Sequence, residues 1–220
     1  MSAATIAVLD YGMGNRRSVQ KALEHVGAKA EITRDAGAIA AADGLVVPGV
    51  GAFPRAMASL RELGLDTAVR AVAAQGRPLL GICLGMQLLF DGSEEFEHTP
   101  GLGLIPGSVT RLETGGLRIP HIGWNEVSFE RASPLTAALP ARGCAFYHVH
   151  SMAVRPSAER DVIATTTYGE RFATIVSRAN VFGVQFHPEK SSGHGLRLLE
   201  SFAGLCRPRA ASGAPAAVPA

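Results

Sequence analysis

Residues 77–90 read RPLLGICLGMQLLF. An apolar run, Leu79-Leu80, leads into Gly81-Ile82-Cys83-Leu84-Gly85, and a run with helical character, 84–90, leads out. A G-x-C-x-G segment between a buried strand and a helix is the nucleophile-elbow pattern with cysteine in place of serine. The glycines answer a steric need, because a tight strand-to-helix turn brings neighbouring backbones too close for a Cβ at 81 and 85. Such a turn lifts Cys83 out of the sheet at the carboxyl end of a strand, where open α/β sheets keep their sites. The start of the following helix favours a thiolate and leaves amide groups free to hold an anion.

The flanking sequence alternates strand and helix signals. TIAVLD (5–10) is a short apolar run ending in the turn-rich YGMGN. Val19, Leu23 and Val26 then share one helical face, and Gly27 is a stop. AKAEITR reads as a strand, and DGLVVPGVGAF as a buried strand over 45–47 broken at once by Pro48 and Gly49. A helical region spans about 53–75, parted near Gly64. This alternation predicts an α/β fold of three layers: a mainly parallel or mixed central sheet with helices on both faces. The second half changes to short strand-like runs, RIPHIGWNEVSF, CAFYHVHSMAV, DVIATTTYG, RFATIVSRA and VFGVQF, which predict antiparallel or mixed sheet. GLRLLESFAGLC is a closing helix. One domain over 1–207 is expected, and 208–220, rich in Ala and Pro, is expected to be a disordered tail.

Composition narrows the classes of function. The 220 residues suit one large α/β domain. A net charge of +2 gives no reason to expect nucleic acid or an anionic membrane as partner. No apolar run has the length of a membrane span, and the N-terminus has no signal-peptide pattern. Three cysteines, Cys83, Cys144 and Cys206, suggest neither a disulfide framework nor zinc, and fit a cytoplasmic protein.

A partner for the cysteine lies near the other end, where VFGVQFHPEKSS runs a strand into His187-Pro188-Glu189. His187 can take the thiol proton, and Glu189 can orient the imidazole and stabilise its cation. An isolated H-P-E would read as a capping turn; with an elbow cysteine it reads as base and orienter. In VVPGVGAF (46–53), Gly49 and Gly51 flank Val50, so that peptide can rotate and aim an N–H at an oxyanion. Gly12-x-Gly14 lacks the third glycine of a dinucleotide fingerprint, position 17 being arginine. His121, His148 and His150 are too far apart in pattern to suggest a metal. His25, His98 and His194 read as solvated surface.

Together, GICLGMQLLF and QFHPEKS resemble the class I, triad-type glutamine amidotransferases, with their flavodoxin-like sheet. LDYGMGN, VPGVGAF, GMQLLFDGSEE, LGLIPGSV, PHIGWN and FHPEKS, in this order, are similar to the glutaminase subunits of imidazole glycerol phosphate synthase, over about 5–205. The resemblance implies a glutaminase in histidine biosynthesis with Cys83 as nucleophile, His187 as acid and base and Glu189 as its orienter. It implies that Leu84 and the Gly49-Val50-Gly51 loop supply the oxyanion donors. Gln87, Glu95, His150, Ser151 and Met152 would hold glutamine. No metal and no cofactor are implied. Ammonia would pass to a (β/α)₈-barrel cyclase subunit, with Asn15, Trp124, Tyr147 and Lys190 at the junction. Arg16, His148 and Met152 depart from the family pattern, standing in place of an apolar residue, a phenylalanine and a tyrosine. A glutaminase serving anthranilate or guanylate synthesis is the competing enzyme, and PHIGWN and PGVG argue against it. A catalytically silent regulatory subunit is the other alternative, and the intact triad argues against that.

Overall fold

The computed structural model describes residues 3–207; the expected tail, 208–220, lies outside them. The first half alternates strand and helix: β1 (Thr5–Leu9), α1 (Arg16–His25), β2 (Lys29–Thr33), α2 (Ala36–Ala41), β3 (Gly44–Gly49), α3 (Phe53–Glu62), α4 (Leu65–Ala74), β4 (Leu79–Cys83) and α5 (Leu84–Leu88). The second half is mostly strand: β5 (Gly92–Ser93), β6 (Thr99–Pro100), β7 (Gly107–Arg111), β8 (His121–Phe129), β9 (Gly143–His150), β10 (Met152–Pro156), β11 (Val162–Tyr168), β12 (Glu170–Arg178) and β13 (Val181–Val184). Helix α6 (Ser192–Cys206) closes the described chain.

All the described strands join one sheet, ordered β2-β1-β3-β4-β13-β12-β10-β7-β5-β6, from which β11, β8 and β9 branch at β12. The strands from β2 to β13 run parallel, and β12 turns the sheet antiparallel. Alternate residues of each parallel strand feed opposite cores. Ile6, Val8, Val46, Leu80 and Ile82 pack with α1 and α6 through Val19, Leu23, Leu198 and Phe202. Ala7, Leu9, Leu45, Val47 and Leu79 pack with α2, α3 and α4 through Ile39, Met57, Leu60 and Val69. This is the expected three-layer α/β arrangement, because a strand apolar at every position must be covered on both sides.

Three details differ from the sequence reading. Strand β3 does not stop at Val47 but continues through Pro48 and Gly49, which lie opposite Ile82 and Cys83. Its pairing with β1 ends at Val46, so no ladder on that side needs the N–H that Pro48 lacks. Helix α2, unanticipated because six residues carry little periodicity, is capped by Asp35, whose Oδ1 accepts from Ala38 N at 2.7 Å. Helix α5 ends at Leu88 rather than Phe90, and the next two amides reach back only three residues, to the Met86 and Gln87 carbonyls. The parting of α3 from α4 at Gly64 is as expected, with φ +66°.

The sheet order puts β4 between β3 and β13. Three carboxyl-end connections therefore meet: the one after Gly49, the Cys83 elbow, and the one leading to His187. Close packing there depends on Gly85. A Cβ added to it would collide with the Val47 carbonyl, and one added to Gly81 would lie 2.6 Å from the Gly85 carbonyl oxygen. Gly85→Ala is expected to destabilise the chain by about 3 kcal/mol or more, since backbone must move to admit the methyl. Urea unfolding checks this, and an unchanged midpoint would contradict the packing described.

Candidate active site

Cys83 ends β4 with φ 55° and ψ −112°, a conformation in which a non-glycine residue is strained. Such strain costs on the order of 1–3 kcal/mol and persists only where surrounding packing enforces it. Here Gly81 and Gly85 let β4 and α5 pack closely enough to do so. The side chain is almost fully buried. Its S–H donates to the Val149 carbonyl at 3.6 Å, and the Gln185 side-chain amide donates to the sulfur at 3.8 Å.

His187 and Glu189 flank Pro188, in the extended segment and 3₁₀ turn that follow β13. The turn is locked to β9: the His187 amide donates to the Tyr147 carbonyl at 2.9 Å, and Ser191 bridges the His187 carbonyl and the Tyr147 amide. His187 Nδ1 lies 2.9 Å from Glu189 Oε1, with both side chains buried. That leaves Nε2 for the sulfur. Burial opposes the His187 cation, but hydrogen bonds to Cys83 and Glu189, and their negative charges, outweigh it and push the pKa up to about 10. The second carboxylate oxygen of Glu189 is buried without a partner.

A cavity of about 250 Å³ opens on the sulfur. The site residues expected from sequence line it as follows: Cys83, Leu84 and Gln87 from the elbow and α5, Val50 and Gly51 from the loop, Glu95, His150, Ser151 and Met152 from one wall, and His187 and Lys190 from the other. Pro120 and Val149 also line it, and neither was singled out from sequence. Glu95 is partly committed, since its Oε2 accepts from the Phe53 amide at 2.7 Å and caps α3. Gly49 and Glu189 stand behind the lining. A Cβ on Gly49 would lie 2.6 Å from the Tyr11 hydroxyl, which itself donates to the Pro48 carbonyl at 2.7 Å. Burial, then the charge at Cys83, push the Tyr11 ionisation well up, so it remains a donor.

Asn15, Trp124 and Tyr147 lie outside the cavity. Trp124 is half-exposed and meets Tyr147 edge-on at 6.2 Å on the β8–β9 hairpin, beside exposed Ile122. Asn15 precedes α1 without capping it by its side chain. Arg16, a departure from the family pattern, forms an ion pair with Asp10.

The fold brings the three central histidines together, a proximity the sequence pattern does not show. Antiparallel pairing of β8 and β9 sets His121 opposite His150 and Gly123 opposite His148, which sequence separation hides. All six ring nitrogens have protein partners. Asn125 Nδ2 donates to His121 Nε2, His121 Nδ1 donates to His150 Nε2 at 3.0 Å, and His150 Nδ1 donates to the Met152 carbonyl at 2.8 Å. His148 Nδ1 donates to the Phe146 carbonyl and its Nε2 accepts from the Thr174 hydroxyl. These tautomers follow from the acceptor-only carbonyls at the ends of the chains. Cys144 and Cys206 are buried thiols with pKa values raised mainly by burial, to about 11 and about 12, and lie away from the cavity.

Burial pushes His150 down from 6.5 to about 4, against the help of the Met152 carbonyl, and pushes His148 well below its ordinary value. The unfolded chain takes up the His150 proton below about pH 6.5, while the folded chain resists until about pH 4; the His148 shift acts in the same direction. Stability is therefore lost as pH falls across that window, by about 3 kcal/mol for His150 alone. His187 acts in the opposite sense: its contribution is complete below about pH 6.5 and fades as pH rises towards 10. His148→Phe should lose less stability between pH 7 and 4.5 than the wild type in urea unfolding; equal losses would contradict the neutral cluster.

Comparison with known proteins now gives the geometry its context. Residues 7–204 match the family model "Glutamine amidotransferase class-I". "Imidazole glycerol phosphate synthase subunit HisH" of Moorella thermoacetica is 54% identical over 202 residues, covering 92% of this chain and 95% of that protein. The protein of the same name from Symbiobacterium thermophilum is 50% identical, covering 90% and 93%. Among solved structures, "Structure of PurLQS from Thermotoga maritima" matches with a TM-score of 0.74 at 21% identity, covering 92% of this chain and 98% of that one. "Crystal structure of glutamine amidotransferase" matches with a TM-score of 0.72 at 23% identity, covering 91% and 98%. The likeness to solved structures carries the fold. The family model and the relatives carry more: this chain belongs to the class-I glutamine amidotransferases, in the branch of the imidazole glycerol phosphate synthase HisH subunits.

Proposed function

We propose that the chain hydrolyses glutamine at Cys83 and delivers the ammonia to a cyclase subunit of imidazole glycerol phosphate synthase. The observation that carries this reading is the strained, buried Cys83 sharing one cavity with a His187 already held by Glu189. The sulfur attacks the side-chain carbonyl carbon of glutamine, and the carbonyl electrons move onto oxygen. The Leu84 amide and an amide of the Gly49–Gly51 loop donate to that oxyanion. His187, protonated and oriented by Glu189, gives its proton to the departing nitrogen, and ammonia leaves as the C–N bond breaks. The thioester on Cys83 is then attacked by water, which His187 deprotonates. The C–S bond breaks, glutamate departs, and Cys83 leaves as a thiolate that shares with His187 the proton taken from water. Each oxyanion donor contributes roughly 3–4 kcal/mol to such a step.

Gln87, Glu95 and the His150–Met152 strand hold glutamine in this reading. Half-exposed Trp124 and Ile122, with Tyr147 against Trp124, offer the apolar surface that a barrel partner would cover, and Asn15 and Lys190 are the polar residues expected at that junction. Three buried free cysteines support a reducing compartment such as the cytoplasm. Among the described residues no helix is long and apolar enough to cross a membrane.

Cys83→Ala should lower glutamine-dependent synthesis by the assembled complex more than about a thousandfold. Synthesis from added ammonium salt should survive, because the second reaction belongs to the partner. Near wild-type glutamine turnover in Cys83→Ala would overturn the assignment. Lys190, exposed at the cavity mouth, is expected to pair with a partner carboxylate. Lys190→Ala should therefore raise the glutamine consumed per product formed, and an unchanged ratio would remove Lys190 from the coupling.

A further inference from the structure

A hydrogen-bond chain behind Cys83 has a direction fixed by its far end. The Met152 carbonyl can only accept, and it takes N–H groups from His150 at 2.8 Å and from Gln87 Nε2 at 3.4 Å. Gln87 therefore turns its NH₂ towards that strand, and the same NH₂ donates to Gln185 Oε1 at 3.1 Å. Gln185 must then present its own NH₂ on the other side, where the Cys83 sulfur lies at 3.8 Å. Flipping Gln185 would set two NH₂ groups face to face. Flipping Gln87 would set its oxygen against two other oxygens. Both glutamines are buried, Gln185 completely, and the Gln185 backbone is pinned by its amide to the Thr174 carbonyl at 2.9 Å. Gln185 and His187 follow the end of β13 at Val184, and both side chains reach Cys83.

The sulfur also faces an oxygen. The Val149 carbonyl accepts S–H from the thiol, but against a thiolate the same oxygen is repulsive. A buried anion facing a carbonyl needs donors to offset it. On the reading of Cys83 as the nucleophile, we infer that Gln185 is a further residue of the reaction: it donates one N–H to the Cys83 sulfur, stabilises the thiolate and holds it in place for attack. Gln87 and the Met152 carbonyl set the direction of that donor. Gln185 thus links the wall expected to hold glutamine to the atom that attacks it.

The test is the pH dependence of Cys83 alkylation by iodoacetamide in the full chain, followed by peptide mapping, with thermal melts alongside. The titratable groups facing the sulfur are His187 and Tyr11, with Glu189, His148 and His150 around His187; all are retained in the variants. Gln185→Met removes the donor and keeps the volume, and Gln185→Glu keeps the shape and puts an acceptor against the sulfur. Each is expected to move the alkylation midpoint upwards, Gln185→Met by about one pH unit, the cost of one charge-assisted hydrogen bond. Alkylation at pH 7 should slow severalfold, and kcat for glutamine should fall more than KM rises. A profile superimposable on wild type, or shifted down, in whichever variant melts cooperatively would overturn the inference. So would failure of both to fold, since Gln185 would then serve the core. Alkylation does not need glutamine turnover, so this outcome is separate from the fate of the glutaminase assignment.

Discussion

The parallel register of three neighbouring strands is the constraint on which the site depends. Gly49 lies opposite Cys83 between β3 and β4, and Val184 lies opposite Ile82 between β13 and β4. Once those pairings form, the loop after β3, the elbow after β4 and the segment after β13 must leave the sheet at the same edge, about one strand spacing, roughly 5 Å, apart. Cys83, the loop proposed to hold an oxyanion, and His187 come from three distant parts of the chain. No further element is needed to bring them together. The side branch β8–β9 adds the fourth wall, because the His187 turn is bonded to Tyr147 on β9.

That edge is crowded, and the crowding is functional. Gly85 has no room for a side chain beneath the Val47 carbonyl, and Gly49 none beside Tyr11, Leu84 and Gly85. The contact holds Cys83 at positive φ, where it would not rest unaided. The two cores on either side of the sheet supply the free energy that keeps this strained junction folded. Buried Phe53, Met57 and Leu60 press on one face and Phe186, Leu198 and Phe202 on the other.

Much of this was legible in the sequence because the relevant signals are local. The glycines around Cys83, the alternation of apolar runs with helical periods and the H-P-E segment each report on a few neighbouring residues, and the parallel half of the sheet follows from them. What escaped reading is the product of pairing across long separations. His121 and His150 look unrelated until β8 and β9 align, and the apparent break at Pro48 vanishes because β1 has already stopped pairing with β3. Gln185 is an ordinary polar residue in a strand-like run until the fold sets its amide between Gln87 and a sulfur. Glu95 escaped in part as well: its place on the cavity followed from the family pattern, but its bond to the Phe53 amide depends on where α3 begins.

The charge balance around the sulfur explains why so many buried polar groups can coexist there. One cation, His187, is stabilised between Cys83 and Glu189, and the histidines nearest to it are held neutral. Each neutral ring is locked by an acceptor-only carbonyl at one nitrogen, which dictates what the other nitrogen can do. A second imidazolium at position 148 or 150 would repel His187 at short range in a poorly screened interior. It would weaken the very cation that is proposed to protonate the leaving nitrogen. The same device recurs in the carboxamides, where the Met152 carbonyl orients Gln87 and through it Gln185. Carbonyls of β9 and β10, fixed by the sheet itself, therefore set the polarity of the site, and the elbow needs no charged neighbour beyond its histidine.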